Sequence, residues 1–133
     1  MNPLLEEYFD SAEACLIESP AIRSYMIIRR EISPVDGKLR VKAVLDDDSL
    51  LEFFLYLTEK NKHIEQSKYS FHWQDKQGSL IKRWDNAPHH PELKNVPHHA
   101  HIGDDRVEAL FDVPDVFFVI EQIEANLNTA SNR

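Results

Sequence analysis

The feature that most limits how this chain can fold is a series of segments in which apolar and polar residues alternate, separated by only a few turn-forming residues. Leu39, Val41, Ala43 and Leu45 alternate with Arg40 and Lys42, and Leu51, Phe53, Leu55 and Leu57 alternate with Glu52, Phe54, Tyr56 and Thr58. Further on, Tyr69, Phe71 and Trp73 oppose Gln66, Lys68, Ser70, His72 and Gln74. Successive side chains of a strand point to opposite faces, so each run predicts a strand with one buried face. The runs 22–32 and 80–85, rich in Ile, Tyr and Trp, predict two more. The intervening turns Ser33-Pro34-Val35-Asp36-Gly37, Asp46-Asp47-Asp48-Ser49, Asn61-Lys62 and Asp75-Lys76-Gln77-Gly78 are too short for crossover helices. The expectation is a five-stranded antiparallel meander, with Trp73 and Trp84 in the core and the three consecutive aspartates in a solvated turn.

Helical spacing appears at both ends. Pro3 suits a first helical turn, and Leu4, Leu5, Tyr8, Phe9, Ala12, Cys15 and Leu16 recur at intervals of three and four before Ser19-Pro20 stops the pattern. Asp112-Val113-Pro114-Asp115 reads as a second helix start, followed by a stripe of Val116, Ile120, Ile123 and Leu127 that ends near Asn128. No linker or low-complexity tract divides the 133 residues, so residues 1–133 are expected to form one α+β domain with both helices on one sheet face. Phe54 and Tyr56 would place apolar surface on the other face, which a homodimer would cover.

Fifteen Lys and Arg against 23 Asp and Glu leave a net charge of −8, which argues against a uniformly basic nucleic-acid surface but leaves room for a local basic cleft. The single cysteine, Cys15, excludes an internal disulfide and fits a cytoplasmic setting. An acidic N-terminal segment, and the lack of any apolar run approaching ~20 residues, predict neither a secretory signal nor a membrane span.

The remaining stretch, 86–103, has neither period and reads as an irregular loop. It contains Pro88, Pro91 and Pro97 and five of the seven histidines: His89, His90, His98, His99 and His101. Pro-His-His occurs twice. Together with Tyr69-Ser70-Phe71-His72-Trp73-Gln74-Asp75 and Arg83-Trp84-Asp85-Asn86 upstream, this stretch resembles the TumE family of toxins from prokaryotic toxin-antitoxin operons, over residues 69–103, about a quarter of the chain. The resemblance implies an antitoxin partner and, since many toxins of such operons cut RNA, an RNA target.

Two chemistries suit these histidines. His99 and His101, two apart, can present both imidazoles to one side of an extended segment, where Asp85 and His89 or His90 could complete a Zn²⁺, Ni²⁺ or Mn²⁺ site. Alternatively no metal is needed: two imidazoles titrating near ~6.5 can serve as general base and general acid in cleavage of RNA through its own 2′-hydroxyl. Lys82, Arg83 and Lys94 would then stabilise the phosphorane, Asp85 and Asn86 would contact substrate, and His72 would join from the strand. The leading expectation is therefore a toxin cleaving RNA through the histidine loop. The alternatives are a non-catalytic protein-interaction module, whose histidines only shape the loop, and a metal-dependent hydrolase of a small phosphorylated substrate.

Overall fold

A computed structural model describes residues 2–86, 98–103, 106–110 and 113–131. Helix α1 (Pro3–Glu18) begins where Asn2, in extended conformation, accepts a hydrogen bond from Leu5 N at 3.1 Å, with proline at the first helical position. Its buried residues, Leu5, Phe9, Ala12 and Leu16, follow the 4–3–4 spacing of one helical face. Asn2 Nδ2 also donates to Pro34 O at 2.9 Å, fixing the start of α1 to the first hairpin. Gly37 lets the helix close on the sheet, because a Cβ at that position would lie 3.0 Å from Phe9 Cε2.

The strands are β1 (Ile22–Ile32), β2 (Asp36–Leu45), β3 (Leu50–Lys60), β4 (His63–Gln74), β5 (Leu80–Asp85), β6 (His99–Ile102) and β7 (Arg106–Ala109). They form one antiparallel sheet in chain order, so the expected meander is present with seven strands rather than five. The first extra strand lies within the stretch 86–103 expected to be an irregular loop, and the second follows just after it. Each is only four residues long, which is too short for alternation to register as a period.

Register sorts the faces. Val41, Phe53, Phe71, Trp84 and Ala100 form a continuous cross-strand row, and all are buried beneath the helical layer. Trp73 and Trp84 are in this core as expected, the former donating to Ser49 Oγ at 3.1 Å. The aspartates Asp46, Asp47 and Asp48 are exposed in their turn, with Asp48 paired to Arg23.

Helix α2 (Val116–Ser131) completes the layer through Val116, Val119, Ile120 and Ile123. It starts later than the sequence suggests and runs past Asn128: Asp115 accepts from Phe118 N at 2.9 Å as the N-cap, while Asp112 lies outside the described residues. Ser19 Oγ donates to Glu124 Oε2 at 2.7 Å, joining the end of α1 to α2. No helix of the described residues is long and apolar enough to cross a membrane.

On the open face, Phe54 and Tyr56 are only half-buried, but cations cover them. The Arg40 guanidinium lies 4.8 Å from the Phe54 ring centroid, and Lys38 Nζ lies 5.8 Å from that of Tyr56. The more exposed apolar side chains of the sheet are Met26 and Ile28 on the edge strand β1.

Candidate functional site

Two neighbouring cross-strand rows on the open face carry nearly all of its chemistry. One runs Lys42, Glu52, His72, Arg83, His101, and the next runs Arg40, Phe54, Ser70, Asp85, His99. Directly opposed residues in an antiparallel sheet share a face, and their Cβ atoms are about 4.5–5.5 Å apart. The strand ladder therefore assembles the group from five strands without any loop having to close over it.

Contacts link the group from end to end. His72 Nε2 lies 3.1 Å from Gln74 Oε1, and Arg83 Nη1 lies 3.2 Å from His72 Nδ1. An amide oxygen accepts and a guanidinium donates, so the two contacts together assign neutral His72 with its proton on Nε2 and its lone pair on Nδ1. Arg83 Nε donates to Asp85 Oδ2 at 2.8 Å, and the other carboxylate oxygen, Oδ1, lies 2.9 Å from His99 Nε2. The His99 and His101 rings meet edge to face with centroids 4.8 Å apart. Asp85 and His99 are almost fully buried, at 3% and 2% exposure, whereas His72, Arg83 and His101 are half-buried and can meet a ligand. Beside them a cleft of about 310 Å³ is lined by Arg40, Lys42, Glu52, Ser70, His72, Gln74 and Arg83.

The structure thus brings together His72, Arg83, Asp85, His99 and His101 from the sequence-predicted set, and separates others. Lys82 points to the helix side, where its Nζ stacks 4.9 Å from the Trp84 ring centroid, away from Arg83. Asn86 serves the fold: its Oδ1 accepts from Tyr69 N at 3.1 Å and its Nδ2 donates to Ser67 O at 2.9 Å, extending the β4–β5 pairing by one side chain.

His98 belongs to the opposite side as well. Its Nδ1 lies 3.1 Å from the Tyr69 hydroxyl and the two rings stack at 5.8 Å, beside a second cleft of about 580 Å³ that Tyr8 and Asn86 also line. Burial, and then the neighbouring His99, push His98 below the ordinary histidine range. Burial followed by the Asp85 charge raises the Tyr69 phenol, and burial followed by Asp115 raises Tyr8 to about 12. His89, His90 and Lys94 lie outside the described residues.

The sequence reading did not include Arg40, Lys42, Glu52, Ser70 or Gln74. Counting outward from the turns alone would not have found them: the Asn61-Lys62 connection pairs Lys60 with His63, which would set Glu52 opposite Phe71, and only a register shift between Tyr56 and Leu57 brings Glu52 opposite His72.

In this α+β chain the helices cover one sheet face, while cations, histidines and a buried carboxylate gather on the other and give it a polar surface. The family model described as Toxin TumE matches residues 12–128, and the chain belongs to that toxin family. No curated protein and no solved structure matches it.

Proposed function

We propose that this toxin acts on RNA, cleaving a phosphodiester bond seated on Arg83. The carrying observation is the row in which Arg83 is flanked directly by His72 on one strand and His101 on the other. With strands about 4.8 Å apart, the two histidine backbones are about 10 Å from one another, so both imidazoles reach a single phosphate bound between them.

A phosphate oxygen taken by the Arg83 guanidinium competes with His72 for the Nη1 donor and frees His72 Nδ1. Nδ1 then accepts the 2′-hydroxyl proton as the 2′ oxygen bonds to phosphorus. The bond from phosphorus to the 5′ oxygen breaks, and the Asp85–His99–His101 flank returns a proton to that oxygen through His101, its most accessible member. The products are a 2′,3′-cyclic phosphate and a free 5′-hydroxyl. Asp85 and His99, too buried to touch substrate, hold Arg83 and His101 in place. Lys42 adds a second cation on β2, across the cleft from Arg83, whereas Arg40 is paired with Glu52 Oε2 at 3.1 Å; an antitoxin protein is the expected partner in the cell.

The test combines purified protein with RNA and with cells. Wild type is expected to release fragments ending in 2′,3′-cyclic phosphate and to arrest growth when induced. With all variants verified as folded by circular dichroism, His72→Ala and Arg83→Gln should each lose about 10²-fold in cleavage rate, and His99→Ala/His101→Ala should no longer arrest growth. Growth arrest that survives these changes with RNA intact would replace this reading with toxicity by protein binding.

A further inference from the structure

We infer that Asp85, His99 and His101 together bind one divalent transition-metal ion, for which Zn²⁺ is the best match. The inference deepens the reading above, because it names what delivers the proton on the β5–β6 flank, but the binding itself does not depend on RNA.

One oxygen of Asp85 and one ring nitrogen from each histidine lie within 4.8 Å of one another, and the Asp85–His99 separation is 2.9 Å. Ligand atoms about 2.0–2.1 Å from a tetrahedral Zn²⁺ ion are about 3.3 Å apart, so the observed separations bracket that spacing and sub-ångström to ångström adjustments close the site. The ladder sets this geometry: Asp85 and His99 are direct cross-strand partners, and His101 follows two residues later on the same face.

Three further features favour an ion here. Asp85 and His99 are already withdrawn from water by folding, so little ligand desolvation remains to oppose binding. The carboxylate is held from behind, since Oδ2 accepts from Arg83 Nε at 2.8 Å while Oδ1 faces the histidines; such outer contacts orient ligands in metal sites. Two imidazoles and one carboxylate suit Zn²⁺, Ni²⁺ or Mn²⁺ better than Mg²⁺ or Ca²⁺, which prefer all-oxygen sets.

Three protein ligands leave a position for water, and water on Zn²⁺ loses its proton near pH ~7. That water, rather than the His101 imidazole, would then protonate the leaving 5′ oxygen and remain as metal-bound hydroxide.

The experiment uses the full chain, stripped with chelator, desalted, and titrated with Zn²⁺ by calorimetry while metal content and thermal unfolding are followed. Wild type should bind one Zn²⁺ per chain and unfold at a higher temperature with the ion present. Because His99→Ala would empty a nearly fully buried position, the test variants are His101→Gln and Asp85→Asn, each expected to weaken binding at least 100-fold. His63→Gln, at the exposed start of β4, should bind as wild type does. Absence of binding by wild type, or equal affinity in the two ligand variants, overturns the inference. RNA cleavage measured in parallel separates the two readings. Zn²⁺ bound at this site without cleavage keeps the metal centre and removes the RNA reading. Cleavage at full rate by wild type that takes up no Zn²⁺ in the titration removes the metal centre and keeps the RNA reading.

Discussion

Asn86 shows how residue type and residue use diverge. An Asx side chain next to a histidine-rich stretch invites a substrate role, yet both ends of this amide bond to the backbone of β4. Asn86→Ala is therefore expected to cost about 1–2 kcal/mol, the net worth of two half-buried hydrogen bonds, measured by urea unfolding. The folded fraction should retain its cleavage rate, and a loss of rate at full stability would return Asn86 to the site. His72, Arg83, Asp85, His99 and His101 were legible because few side chains can move protons or hold phosphate. Their company was less so: it depends on the β5–β6 register, and nothing in a four-residue strand starting with a buried histidine announces that register. Arg40 and Lys42 were passed over for a related reason, since a cation on the polar side of a strand looks solvated until its cross-strand neighbours are known.

The elements that sequence patterning located best are those long enough to repeat. Strands β2 and β3 run 10 and 11 residues with a buried residue at nearly every second position over most of their length, and the second half of the 12-residue β4 continues the pattern with Tyr69, Phe71 and Trp73. Strands β6 and β7 have no such length, and prolines in the preceding stretch disguise the approach to β6. Turn chemistry was also readable, and at one turn it is suboptimal. Asn61 and Lys62 join β3 to β4 with φ of 53° and 64°, the left-handed pair of a two-residue type I′ turn. Asn tolerates that region, but a lysine Cβ crowds its own backbone there. Lys62→Gly should raise stability by about 1 kcal/mol, seen as a higher urea midpoint with an unchanged slope. A lower midpoint would mean that Lys62 makes a favourable interaction exceeding its backbone strain.

At the scale of the whole molecule, the acidic balance that argued against nucleic acid is not spread evenly. Helices α1 and α2 carry seven Asp and Glu and no Lys or Arg, so they account for nearly all of the net charge of −8. They lie on the face opposite the cleft, and sheet-packed layers are about 10 Å apart, beyond the Debye length of about 8 Å at physiological salt. The helical acids are therefore largely screened from a strand lying on the open face, whereas Lys42 and Arg83 meet it directly. Binding of single-stranded RNA should weaken with salt at a slope of about −0.7 per phosphate neutralised, which for these two cations is about −1.4 in log K against log salt. The salt-dependent easing of repulsion by the helices works the other way, so the measured slope should fall between zero and that value. Lys42→Gln should move it toward zero by about 0.7. Fluorescence anisotropy with a short RNA across a salt series measures both. A slope steeper than −3, or one indifferent to Lys42→Gln, would place the RNA-binding surface away from the β2–β5 cleft.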